Sequence, residues 1–215
     1  MEEHNIESSL MATILNSDAK EIGADMIELS LDSVLEEGLL KEMPIIGVLA
    51  KLYSTGNTIH GKIFEKKIIR FLYQTEKTKI SDKEKFKTKL NIQPDYRKKV
   101  GEQLLVILDK LDNIEKASIL GKLFKKFMEE NIDLDMFQRL ASVVANGFLP
   151  DLKKLVKYEN QNQWSSFTST SLSNLGLVHL SHIRTEKFDN SGKQIDGSEY
   201  SITKLGSELL KLQVV

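Results

Sequence analysis

The stretch "LSNLGLVHLSHIRTEKFDNSGKQIDGSEYSITKLGSELLKL", residues 172–212, decides the fold. It opens on a helix that ends at Leu175-Gly176. "LVHLSHIRTEKF" then alternates polar and apolar residues in the period of a strand, and "DNSGKQIDG" is turn chemistry. "SEYSI" returns as a second strand. Thr203 is placed to cap a last amphipathic helix, while Tyr200, Ile202, Leu205 and Leu209 close a small core. The segment before it, "ENQNQWSSFTSTSLSN", is polar and rich in Ser, Thr, Asn and Gln, and leads from a loop into that first helix.

Upstream, the chain reads as helices joined by short linkers, with no convincing strand before residue 159. Ile6, Leu10 and Ile14 recur at helical spacing, as do Ile22, Met26 and Leu29. Asp32 is a cap for a short helix carrying Val34, Leu35 and Leu39, which must end near Pro44 because the residue before proline avoids the helical region. "PIIGVLAKLYSTGNTIHGKIFEKKIIRFLYQ" predicts one or two helices with a break around 54–58. In its second part Ile63 or Phe64, Ile68, Phe71 and Leu72 form an apolar side, and Lys62, Lys66, Lys67 and Arg70 line another. "SDKE" at 81–84 has the form of a capping box, and Pro94 suits the first turn of a helix. Val100, Leu104, Leu108 and Leu111 make its buried stripe. Asn113 and Asp133 are caps for the next two helices, Gly147 is a stop, and Pro150 opens a further short helix. The fold class is therefore mainly α: a multi-helix bundle followed by a small α+β C-terminal module. No internal repeat or heptad run is present.

Charge divides the chain the same way. Residues 1–43 hold 2 basic and 11 acidic side chains, whereas residues 44–129 hold 19 basic and 10 acidic, within a chain whose net charge is −1. The expected organisation is an acidic helical arm (1–43), a basic helical bundle (44–149) and the C-terminal module (150–215). An acidic arm beside a basic middle suggests pairing within the molecule, or a basic face kept for an acidic partner. There is no cysteine, which excludes disulfides, thiolate catalysis and cysteine-ligated zinc. That composition, with the polar start "MEEHNIESSL", leads us to expect a cytoplasmic location.

No constellation for catalysis or metal binding emerges. "GNTIHGKI" at 56–63 is one substitution from a phosphate-binding P-loop, but Ile63 stands where a hydroxyl must ligate magnesium. "LLVILD" at 104–109 imitates the companion strand, yet it continues in the helical period. His179 and His182 fall on opposite faces of a regular strand and do not chelate together. His4 and His60 are isolated in sequence. We expect no catalytic, cofactor-binding or metal site, and no small-molecule cofactor. The candidate partner-binding residues are basic: Lys62, Lys66, Lys67, Arg70, Lys98, Lys99, Lys125 and Lys126 in the middle region, and Arg184, Lys187 and Lys193 in the hairpin.

Leu172, Leu175, Gly176, Leu177 and Val178, followed by Tyr200, Ile202, Thr203, Gly206 and Leu209, resemble the second half of winged-helix domains. There a helix ends in L-x-x-x-G-L-[VI], a hairpin wing follows, and Y-x-[IL]-T-x-x-G-x-x-[LF] closes the unit. The pattern covers about a fifth of the chain, and it implies a winged-helix-like module. DNA-binding members place basic and amide side chains of the helix before the wing in the major groove. Here that helix, "SSFTSTSLSNLG", has no Lys or Arg, and the wing's basic residues are offset by Glu186, Asp189 and Asp196. As a whole, a helical body with "FLPDLKKL…LSNLGLV…YSITKLG" resembles small bacterial helical proteins of the abortive-infection, phage-defence type.

Three functions follow as expectations. The first is a non-enzymatic interaction or regulatory protein of a bacterial cell, acting through a protein partner or a homo-oligomer. The second is a nucleic-acid-binding regulator using the wing and the basic middle, with binding that falls steeply with salt. The third is a peripheral effector on an anionic membrane surface, using the amphipathic segment 44–73.

Overall fold

The computed structural model describes residues 5–16, 43–53, 59–156, 166–182, 187–188, 191–192, 194–195 and 199–215. Among them are ten helices and four short strands. The fold is a helical bundle followed by a small α+β module, as the sequence predicts. The chain divides into two compact units, Met1–Phe137 and Gln138–Val215.

In the first unit, α1 (Ile6–Leu15) packs on α2 (Pro44–Tyr53). Thr13 fastens the pair: its hydroxyl accepts from the Ile45 amide at 3.2 Å and donates to the Ser9 carbonyl at 2.8 Å. The acidic arm's helices expected around Ile22–Leu29 and Val34–Leu39, with the Asp32 cap, lie outside the described residues, as does the break at 54–58. Helix α3 (Ile59–Glu76) lies along α6 (Ile114–Met128) at close range. A Cβ on Gly121 would stand 2.5 Å from the Phe71 carbonyl oxygen and 2.8 Å from Gln74 Cβ, so only glycine lets the two backbones approach.

Helices α4 (Ile80–Ile92) and α5 (Pro94–Lys110) complete the unit. Phe71, Phe86, Phe124, Phe127 and Phe137 form a continuous ring cluster, with neighbouring centroids 5.3–5.8 Å apart. Such edge-to-face and tilted pairs add to the burial of the rings themselves. The expected stripe Val100, Leu104, Leu108 and Leu111 is buried throughout.

Most of the expected caps are found. Pro94 stands in the first turn of α5, and Asn113 accepts from the Glu115 amide at 2.7 Å. Asp133 accepts from the Met136 amide at 2.8 Å and opens α7 (Leu134–Asn146), which stops before Gly147. The capping box at 81–84 is not formed. Helix α4 begins at Ile80 with Lys79 as its cap, and the amides of Asp82 and Lys83 both reach the Lys79 carbonyl. The turn at Lys77-Thr78 starts the helix early, which leaves Ser81 exposed inside the first turn.

The second unit adds α8 (Leu149–Val156), α9 (Ser166–Asn174), a hairpin and α10 (Lys204–Leu212). Strand β1 (Val178–His182) pairs antiparallel with β4 (Glu199–Ile202), and β2 (Lys187–Phe188) with β3 (Gln194–Ile195). The hairpin is thus longer than the alternation suggests: Gln194-Ile195, read as turn chemistry, pairs back, and the turn itself includes Ser191-Gly192. The β1–β4 register shifts between Leu180 and His182. That bulge breaks the strict alternation on which the opposite-face reading of His179 and His182 rested.

Both ends of the hairpin are clamped at its base. Gly176, at φ 70°, closes α9: its amide donates to Ser173 at 2.8 Å, and the Leu177 amide to Leu172 at 3.0 Å. This is the paired bonding that a left-handed residue permits at a helix end. Across from it, Thr203 caps α10 by accepting from the Gly206 amide at 3.1 Å, and donates to the Gly176 carbonyl at 2.6 Å. A Cβ on Gly206 would collide with the Leu177 carbonyl oxygen. Leu172, Leu177, Val178 and Leu209 are buried, while Tyr200, Ile202 and Leu205 are half-buried.

Candidate functional site

Helix α9, "SFTSTSLSN", contains no ionisable side chain. Thr168, Ser169 and Leu172 face inward, and Ser166, Phe167, Thr170 and Asn174 are exposed. The helix is pinned to α8 by a buried polar contact, in which the Thr168 hydroxyl donates to Asp151 Oδ1 at 2.9 Å. Lys154 Nζ donates to the Thr168 hydroxyl at 3.0 Å and lies 3.5 Å from the same carboxylate. Burying a carboxylate is costly without such partners, so the contact fixes how α9 is presented.

That presentation leaves Phe167 85% exposed. It flanks a groove of about 590 Å³ bounded by Asn146, Ser166, Thr170, Ser171, Asn174 and Leu175. The surface pairs one large aromatic ring with neutral donors and acceptors. Among the described residues it offers no cation for a phosphate and no nucleophile–base pair. Its chemistry suits an apolar anchor surrounded by amide and hydroxyl hydrogen bonds.

The basic residues of the middle region are differently engaged. Lys62 and Lys99 are exposed, and Lys66, Arg70 and Lys126 are half-buried. Lys98 stands 3.8 Å from Glu102, and Lys125 stands 3.6 Å from Glu129, each an i, i+4 pair along its own helix. Lys67 departs from the expectation. It is only 5% exposed, on the side of Phe64, Ile68 and Phe71, and its Nζ donates to the Asp109 carbonyl at 3.0 Å. Its stem covers apolar surface while its head serves one of the last carbonyls of α5, which lack partners in their own helix. Burial pushes the Lys67 ammonium below the ordinary lysine range, opposed in part by the charges of Asp109 and Asp112. Of the two alternatives for the apolar side, Phe64 takes the inward position, and Ile63 is 40% exposed. Arg184 and Lys193 lie outside the described residues, as does the side chain of Lys187, whose backbone belongs to β2.

The two pieces of the near-miss P-loop do meet, though not as a nucleotide site. "LLVILD" is helical within α5, and His60 Nε2 sits 3.6 Å from Asp109 Oδ1, so His60 is not isolated. Beside them the 1% exposed Lys116 pairs with Asp112 at 2.7 Å. The i, i+4 spacing of Asp112 and Lys116 was the available signal for that contact. Among the described residues no group of three or more His, Cys, Asp or Glu side chains could hold a metal ion. Among them also, no helix is long and apolar enough to cross a membrane. Phe64, Ile68, Phe71 and Leu72, the apolar positions on which a membrane-surface reading of α3 depends, are buried in the first unit.

Comparison with known proteins gives no match to a family model, to a curated protein or to a solved structure.

Proposed function

We propose that the chain is a non-enzymatic interaction protein whose C-terminal module presents α9 to a protein partner. One observation carries this reading: an uncharged helix with an exposed aromatic ring, Phe167, beside a groove of neutral polar side chains. Exposed aromatics next to a depression are the usual anchors of protein interfaces. The resemblance to winged-helix modules supports the same helix as the presented element, and its lack of Lys and Arg favours a protein over a duplex. The likeness to abortive-infection proteins suggests the setting, a regulatory role in a bacterial cell under phage attack.

A photo-reactive amino acid at position 167 tests the proposal in cells expressing the chain. A discrete protein adduct is expected at 167 and not at the exposed Lys99. Turnover of a nucleotide or nucleic acid that a single substitution abolishes would overturn the reading. So would duplex binding that falls steeply with salt and requires the hairpin, which is the signature of the nucleic-acid alternative.

A further inference from the structure

We propose that the first unit binds a single internal water, held by Lys83 and shared among α1, α3 and α4.

A small cavity of about 20 Å³ lies among these three helices. Its polar lining is Thr13 of α1, Thr75 and Glu76 of α3, Lys83 of α4, and Asn16, which is exposed. Thr13, Thr75 and Lys83 are at most 6% exposed, so bulk solvent does not serve them. Among the described residues, the Lys83 ammonium makes no hydrogen bond and no ion pair. Burying a cation in this way is costly unless something in the cavity accepts from it. The Glu76 charge acts on Lys83 and opposes the lowering of its pKa by burial, yet no ion pair joins the two. An attraction across such a gap is where a bridging water belongs.

Size and polarity together select the guest. A water needs roughly 10–15 Å³ of such space, so the cavity takes one and is too small for a phosphate or a carboxylate. Both threonine protons are already committed: Thr13 donates to the Ser9 carbonyl at 2.8 Å, and Thr75 to the Leu72 carbonyl at 2.9 Å. Their hydroxyls, like the Glu76 carboxylate, therefore only accept, whereas Lys83 only donates. A halide would accept from Lys83 but has no proton for the hydroxyl and carboxylate oxygens. A metal cation would be repelled by the Lys83 charge. Water meets both demands, accepting from Lys83 and donating to the acceptors of α1 and α3. About three hydrogen bonds of this kind are typical of a structural internal water.

A crystal structure of the full chain, grown with bromide in place of chloride, reads the site directly. Expected is one density peak within hydrogen-bond distance of Lys83 Nζ and of the Thr13 or Thr75 hydroxyl, with no bromide anomalous signal. The peak should be lost in Lys83→Met, whose side chain has no donor. Deuteron relaxation dispersion of the solvent gives a second arm in solution, in which wild-type protein should carry about one more long-lived water than Lys83→Met. The wild-type crystal decides even where that variant does not fold. A cavity without a peak, in a map that shows the surface waters, overturns the proposal. So does an anomalous bromide peak there, or a protein side chain filling the space. A peak that persists in Lys83→Met, or equal water counts in the two proteins, overturns it as well.

Discussion

Thr203 and Gly206 act at the same point, where the last helix meets the carbonyl of Leu177. Thr203→Ala removes the cap on the Gly206 amide and the bond to Gly176, and should cost about 1 kcal/mol in urea unfolding. Gly206→Ala forces a methyl into the Leu177 carbonyl and should cost about 1–3 kcal/mol. Glu130 shows the opposite case. It follows α6 at φ 56°, and its amide donates to Phe127 while that of Asn131 donates to Lys126, the arrangement that glycine adopts most readily. Its contact with Lys89 is an exposed pair of little worth. Glu130→Gly should therefore stabilise the chain by about 0.5–1 kcal/mol, read by thermal or urea melts. Two buried lysines set a pH dependence. Burial lowers Lys67 and Lys83 below the ordinary 10.5, opposed for Lys83 by Glu76. Between the lowered folded value and 10.5 the unfolded chain binds more protons, so these groups make stability rise with pH in that window. Replacing both by Met should flatten the alkaline limb of the stability–pH curve.

Helices α3 and α6 carry the first unit, and their joint is the sensitive one. Phe124 touches Phe71, Phe86, Phe127 and Phe137, so Phe124→Ala should cost about 3–5 kcal/mol. Gly121→Ala should cost about 1–3 kcal/mol by driving the two backbones apart; denaturant midpoints check both. Elements of this kind were legible in the sequence where periodicity and caps agreed. The Val100–Leu111 stripe, the Asn113 and Asp133 caps and the Gly176 terminator all read correctly. The capping box failed because local chemistry allowed a cap at Ser81 while the preceding turn started the helix two residues sooner. Lys67 failed for a different reason. Its charge was read as a preference for water, but a lysine stem long enough to reach a helix-end carbonyl satisfies its head while covering apolar surface. Pairing β2 with β3 was invisible because Gln194-Ile195 carries no more than two residues of pattern.

For the whole molecule, charge along the sequence is a poor guide to charge in space. The basic middle includes Lys98 and Lys125 paired along their own helices and Lys67 turned inward. Purified protein should therefore fail to retard mixed-sequence duplex DNA at physiological salt in a gel-shift assay, whatever its behaviour toward other proteins. The candidate site was only half legible. That the helix before the hairpin lacks Lys and Arg is plain in "SFTSTSLSN". That Phe167 stands outside the core is not, because its outward placement follows from the inward turn of Thr168, Ser169 and Leu172, which the Asp151 contact fixes. A polar residue in the core and an aromatic outside it are one event seen from two sides.

The base of the hairpin is held by Gly176, Leu177, Thr203 and Gly206, whereas Ser191-Gly192 sits at the exposed turn. Closure of the second unit is in this way uncoupled from the length of the loop it closes. The turn at 191–192 is thus a splice point, where an epitope, a fluorophore-binding peptide or a purification handle could be grafted while the terminal helix stays docked.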